Sequence, residues 1–263
     1  MSTGPDISAV ITAHTEGPMA GLSFRSLLDA VGVARADGVT VEVLVVLDAP
    51  DPATREAFSE AEQLGCRVIE VSYGDQGPVR NEAASRASGR YVAFLDADDL
   101  WSENWLAEAY RMCESDPGRV IAHPAVNWFF GGTNYVYFLT DQTDPGFDPA
   151  YLRVANYWDT LCLAPVAAYR DIPFLTRDLA EGFAYEDWHW NMETVAAGFV
   201  HRVAPDTLHF KRRRVRSQTV EATANKSLTR PSRFLDYAWI ADQERGRDRG
   251  SPLRRTPATP TLT

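Results

Sequence analysis

Tyr91-Val92-Ala93-Phe94-Leu95-Asp96-Ala97-Asp98-Asp99-Leu100-Trp101 (YVAFLDADDLW) is the stretch on which the fold turns. Tyr91 to Leu95 is an apolar run of strand length. It stops at Asp96, Asp98 and Asp99, three carboxylates within four positions. Asp is a poor strand residue and is costly to bury unpaired. A buried strand ending this way sets negative charge at a sheet edge. Two readings stand at this point: a hard divalent cation with oxygen ligands, or an Asp-rich turn.

Upstream, the same pattern recurs. Ile7 to Ala13 (ISAVITA) reads as a strand ending at the polar turn His14-Thr15-Glu16-Gly17. Val41 to Leu47 (VEVLVVL) is β-branched and apolar nearly throughout, as suits a strand covered on both faces of a parallel sheet. It ends at Asp48. Arg67 to Val71 is a third strand. Helices are expected between them: Gly21 to Ala34, one from the Asp51 N-cap and Pro52 to Gly65, one from Pro78 to Ala87, and one capped by Ser102 and running to Cys113. The alternation predicts an α/β doubly wound sheet. In such sheets ligands bind beyond the carboxyl ends of the strands. His14 to Glu16, Asp48, and Asp96 with Asp98 should therefore meet on one rim. Chance turn aspartates would not require that convergence.

The second half is less regular. Asn127 to Leu139 predicts a hairpin around Gly131-Gly132, followed by a polar loop over 141–149. A helix is expected from Glu186 to Ala197, a short strand over Val200 to Val203, and a last helix over Arg233 to Asp242. From Gln243 the chain is rich in Arg, Pro and Thr, which predicts a disordered tail or linker.

The totals bound the function. The 263 residues are 45% hydrophobic, enough for one substantial domain. Twenty-six basic against 36 acidic side chains give a net charge of −10, which argues against a general nucleic-acid binder. Three cysteines without metal-ligand spacing suit a reduced, cytoplasmic setting. The start MSTGPDISAVITAH has no signal-peptide pattern, and no apolar run is long enough to span a membrane. Contact with the inner face of a membrane is left open, as is the oligomeric state.

Two further clusters carry chemistry. Arg80 is expected in the first turn of the Pro78 helix, where a cation opposes the helix dipole unless an anionic ligand lies there too. Glu186 and Asp187 open an aromatic helix, EDWHWNMETV. They read either as dipole-matching acids or as a general base in a cleft, with Trp188 and its neighbours stacking a sugar. The basic run Lys211 to Arg216 reads as local counter-charge to phosphate or as solvated surface.

These blocks, taken in order, resemble glycosyltransferase family 2 with the GT-A fold: VITAHTEG, VLVVLDAPD, GPVRNEAASRASGRYVAFLDADDLW, EGFAYEDWHW and KRRRVRSQT, spanning about residues 7 to 220. The resemblance implies one GT-A domain over residues 1–242. Its nucleotide-sugar half would be about 1–120 and its acceptor half about 121–242, with 243–263 a tail. It implies an inverting transferase that moves a sugar from a nucleoside-diphosphate sugar, UDP being the expected nucleotide, to a hydroxyl of a glycan, lipid-linked or small-molecule acceptor. Residue by residue, Thr12, His14 and Glu16 would line the base and ribose pocket, and Asp48 would bond the base. Arg80 would reach the base or diphosphate. Asp96 would touch the ribose or the metal shell, and Asp98 would ligate Mn²⁺ or Mg²⁺. Asp187 would be the general base, with Glu186 and Trp188 on the acceptor side. One departure stands out. Many relatives carry a His in the last block where this chain has Arg214. A guanidinium cannot ligate a metal but can pair with a diphosphate. His209, close by, is a weaker candidate ligand.

Competing readings fit less well. A sugar-1-phosphate nucleotidyltransferase wants a glycine-rich basic loop after the first strand, and an aspartyl-phosphate phosphatase wants its paired Asp there. A catalytically weak nucleotide- or glycan-binding domain of the same fold is the alternative to an enzyme.

Overall fold

The computed structural model describes residues 4–215 and 217–239. One mixed sheet runs through the described residues. Its amino-terminal part is made by β1 (Ile7–Ala13), β2 (Val41–Asp48), β3 (Arg67–Val71) and β4 (Tyr91–Asp96), all mutually parallel, in the order β3-β2-β1-β4. Parallel neighbours need crossovers. These are α1 (Met19–Ala36), α2 (Pro52–Ala57) and α3 (Gln76–Arg86). Beyond β4 the sheet turns mixed. The short β5 (Leu100–Trp101) is followed by α4 (Trp105–Cys113), the long β6 (Val120–Gly131) and β7 (Tyr135–Phe138). Then come β8 (Leu163–Pro165), α5 (Val166–Asp171), α6 (Glu186–Ala196), β9 (Val200–Arg213) and α7 (Gln218–Ala224). The order continues β4-β8-β6-β9-β5, with β7 hairpinned onto β6.

Alternation along the strands divides the core between two faces, as the pleat requires. Ile7, Ala9 and Ile11 of β1 pack with Leu27 of α1 and with Trp105 and Leu106 of α4. Val10, Leu44 and Phe94 pack on the other side with Val79 and Ala83 of α3, Tyr169 and Trp190. This second cluster draws on both halves of the chain. Cys66, Cys113 and Cys162 are free and buried. Among the described residues no helix is long and apolar enough to cross a membrane.

Several boundaries differ from expectation. The second helix stops at Ala57 instead of reaching Gly65, although Asp51 caps it as expected, accepting from Thr54 N at 2.7 Å. The third starts at Gln76, two residues before Pro78, because Asp75 caps it by accepting from Gly77 N. Arg80 therefore lies in the second turn. The fourth starts at Trp105. Ser102 does not cap it but accepts Leu208 N at 3.0 Å through its hydroxyl, tying β9 to β5. The expected short strand over Val200 to Val203 is instead fourteen residues long, since β9 pairs with β6 from Val120↔Val200 to Gly131↔Arg213. The expected last helix begins as a 3-10 turn over Arg233–Leu235, residues 237–239 are α-helical, and the remainder from residue 240, like the tail from Gln243, lies outside the described residues.

Candidate active site

The carboxyl ends of β1, β2 and β4 open into a cleft of about 390 Å³, closed on its far side by the start of α6 and the end of β9. Thr12, His14, Glu16, Asp48, Arg80, Asp96, Asp98, Glu186, Asp187 and Arg214 all line it. Trp188 does not. Its indole turns away and donates to Leu152 O at 2.7 Å, so the ring expected to stack an acceptor packs in the carboxy-terminal core instead.

The charges in the cleft are arranged in pairs. Arg80 is buried and donates through Nη2 to both oxygens of Asp96, at 2.9 and 3.2 Å. Its Nη1 lies 3.4 Å from Glu186 Oε1. Burial opposes its charge, but Asp96 and Glu186 outweigh that and hold its pKa above the ordinary value. The protein itself thus supplies Arg80 with anionic partners, Asp96 and Glu186. Its Nε is buried and has no hydrogen-bond partner among the described residues. Thr12 Oγ1 also donates to Asp96, at 3.2 Å.

Asp48 faces the cleft with both carboxylate oxygens engaged, accepting from Tyr73 N at 2.6 Å and Gly74 N at 2.9 Å. It therefore holds the β3–α3 loop in place. His14 Nδ1 meets the Asp48 carbonyl, and Glu16 accepts from His14 N at 2.6 Å. Ala49, just after Asp48, has a positive φ of 45°, and Tyr185, just before Glu186, one of 61°. Such backbone strain at non-glycine residues gathers at functional sites.

Asp98 is 7% exposed and pairs with Arg214 Nε at 2.8 Å, while Arg214 Nη2 lies 3.8 Å from Glu16. Burial pushes the Asp98 carboxyl above its usual pKa. Arg214 opposes that, and the charges of Asp96 and Glu16 add to it. A concentration of oxygen donors that strains against its own charge suits a hard cation, and Arg214 is the cation now on it. Among the described residues no three His, Cys, Asp or Glu side chains come together as a metal site. The protein alone thus offers a divalent ion one carboxylate, Asp98, beside an Asp96 already held by Arg80. Magnesium-type sites of this kind draw their remaining ligands from phosphates and water. His209 plays no part in the cleft. It is buried, stacked on Trp101 with centroids 6.1 Å apart and edge-on to Trp105.

Asp187 lies at the first turn of α6. Its Oδ1 accepts from Trp188 N at 2.7 Å, and Asn156 Nδ2 is 3.5 Å from Oδ2. Burial, and then the neighbouring Glu186, raise its pKa well above the ordinary carboxylate range. A carboxylate with raised proton affinity, set in a cleft, is what a general base needs.

Asp159 and Lys211 are among the lining residues that escaped the sequence reading. Asp159 sits in the irregular segment before β8, and Lys211 was merged into the basic run. Lys211 Nζ lies 2.9 Å from Asp159 and 3.5 Å from Asp99. Asn127 Nδ2 also donates to Asp159, at 2.9 Å. An acid closing the polar-aromatic stretch just before the apolar LCLAP was the available signal for Asp159.

The profile of glycosyl transferase family 2 matches residues 8–174, well over half of the chain. The chain belongs to glycosyl transferase family 2. A 69-residue stretch is 39% identical to the putative teichuronic acid biosynthesis glycosyltransferase TuaG of Bacillus subtilis (strain 168), covering 25% of this chain and 27% of that protein. Among solved structures, S. aureus TarS 1–349 in complex with UDP-GlcNAc is similar with a TM-score of 0.59 at 16% identity, over 81% of this chain and 60% of that one. The mannosyltransferase PcManGT from Pyrobaculum calidifontis, in complex with GDP-Man and Mn²⁺, is similar with a TM-score of 0.57 at 17% identity, over 84% and 60%. At these identities the likeness is one of fold, the GT-A fold. The chain spans 27% of TuaG and 60% of each of the two structural neighbours, less than two thirds in every case.

Proposed function

We propose that this family 2 chain is an inverting glycosyltransferase using a nucleoside-diphosphate sugar, with UDP as the nucleotide of first choice. One observation carries the reading: three parallel strand ends, an acidic helix start and a basic strand end converge on a single cleft. Donors crystallised with the structural neighbours, UDP-GlcNAc in one and GDP-Man in the other, support a nucleotide sugar in general.

In the reading offered here, the nucleoside lies over Thr12, His14, Glu16 and the Asp48-held loop, and the diphosphate points toward Asp98 and Arg214. Asp187 takes the proton from the acceptor hydroxyl as that oxygen bonds to the anomeric carbon. The bond from that carbon to the diphosphate oxygen breaks on the opposite face, which inverts the configuration. Arg214 moves from Asp98 onto the departing diphosphate and stabilises its growing charge. Mn²⁺ or Mg²⁺, held by Asp98 and the donor's own phosphates, would supply further charge neutralisation there. Glu186, held by Arg80, keeps a second negative charge beside Asp187 and so supports its basicity.

The test is incubation with UDP-, GDP-, CDP- and dTDP-sugars, with Mn²⁺, over an acceptor panel, following nucleoside diphosphate release. Release with one nucleotide class, accelerated by an acceptor, supports the reading. Tight nucleotide binding without turnover across the panel would identify the alternative, a catalytically weak binding domain.

A further inference from the structure

The β6–β7 hairpin carries aromatic rings that the core does not use. Opposite residues of paired strands share a face. Asn127 lies opposite Tyr137 on one side and His209 on the other, and Phe129 opposite Tyr135 and Lys211. Tyr135, Tyr137 and Phe129 therefore share their face with Lys211, which lines the cleft. Tyr135 is 46% and Tyr137 38% exposed. Tyr135 stacks on Phe129 with centroids 4.3 Å apart, and the Arg213 guanidinium covers Phe129 from 4.1 Å. Across from the hairpin, Tyr151 is 44% exposed and packs on Tyr157 at 4.9 Å. Partial burial raises the Tyr137 phenol's pKa, and the groups around it are Tyr151, Tyr157 and Asp159.

The face is continuous with the chemistry. Asn127, opposite Tyr137, bonds Asp159 in the cleft wall. Asn156, next to Tyr157, approaches Asp187. A track thus leads from the proposed base to three exposed phenol rings. Polar groups interrupt it at every step, which suits a ligand with hydroxyls along its edges and C–H on its ring faces, and does not suit an acyl chain. Tyr also supplies a large, rigid contact at low entropic cost.

We propose that the tyrosine face of the β6–β7 hairpin, Tyr135 and Tyr137 with Tyr151 opposite, is a carbohydrate acceptor platform that feeds a terminal sugar hydroxyl to Asp187. The assignment rests on the glycosyltransferase reading above and adds to it the acceptor's class and position. It replaces Trp188, which does not reach the cleft, as the stacking surface.

The experiment uses the full chain with 3-fluorotyrosine incorporated. Fluorine NMR follows titration with triacetylchitotriose, maltotriose and cellotriose, each with and without UDP. A saturable shift at Tyr135, Tyr137 or Tyr151 is expected with at least one trisaccharide. Tyr135→Ala/Tyr137→Ala should weaken that binding at least 10-fold, whereas Tyr137→Phe should stay within about 3-fold because the ring face is kept. UDP affinity and melting temperature should match the parent in both variants. No trisaccharide shift at these rings, or unchanged affinity in the double variant, overturns the platform. So does a shift seen only with phosphatidylglycerol vesicles, which marks a membrane face, or only with rising protein concentration, which marks self-association. Failure of UDP to bind the parent chain would overturn the donor reading separately, since the trisaccharide arm is also run without nucleotide.

Discussion

Asp98, buried, and Asp187, half-buried, both have raised proton affinity, yet their surroundings separate their proposed roles. Asp187 has Glu186 beside it and no cation in direct contact among the described residues, so its proton affinity is free to act on a substrate hydroxyl. A base must be deprotonated to work. Activity should therefore fall as pH drops through the raised pKa of Asp187. In kcat/KM against pH, the acid limb should stand clearly above the ~4 of an ordinary carboxylate. Asp187→Asn should abolish that limb along with the rate, whereas a limb at ordinary carboxylate pH would assign the titration elsewhere. Asp98 is already neutralised by Arg214. Because the described residues offer a metal only Asp98, itself paired with Arg214, beside an Asp96 held by Arg80, Mn²⁺ alone should leave the melting temperature unchanged, and Mn²⁺ with UDP should raise it by more than UDP does. Asp98→Asn should remove that extra rise. A full rise with Mn²⁺ alone would show a preformed metal site.

Elements place these residues by close contact. Gly89, between α3 and β4, lets the chain pass directly over the start of β1. A Cβ there would lie 2.5 Å from Ser8 N and 2.7 Å from the Ile7 carbonyl carbon. Both are backbone atoms and cannot step aside. Gly89→Ala should destabilise the fold by about 1–3 kcal/mol, as overpacking does, read as a lower urea midpoint. An unchanged midpoint would mean that β1 and β4 are less tightly held. At this scale the sequence was informative where hydrophobic runs end in charge. β1 to β4 and the hairpin were placed closely because their apolar runs and glycines are local signals. β9 was missed as a long strand because its carboxyl half is basic. Its pairing with β6 is decided by residues some eighty positions away in the chain. The cleft residues on parallel strand ends were legible for the same reason that the strands were. Asp159 was not, because its segment becomes a wall of the cleft only through tertiary contacts, and Trp188 was misplaced because an aromatic helix does not show which face it buries.

At the scale of the molecule, the halves expected from the sequence share one sheet and the core cluster on one of its faces. Val92 and Phe94 of β4 are covered by Ile121 of β6 and Trp190 of α6, and β4 pairs with β8. A fragment ending at residue 120 would expose that face and leave β4 as an open edge. It should lack cooperative unfolding by circular dichroism, while the whole chain unfolds in one transition; a fragment with its own sharp melt would make the halves separate domains. The cleft depends on the same union, since the proposed donor side comes from β1, β2 and β4 and the proposed base, Asp187, from α6. The most direct test of this arrangement compares the parent chain with Asp187→Asn under the donor and acceptor that give turnover. The variant should bind the nucleotide within about 3-fold of the parent while sugar transfer falls by about 10²–10⁴-fold, the range for loss of a general base. Transfer at the parent rate by a folded, nucleotide-binding Asp187→Asn would contradict it.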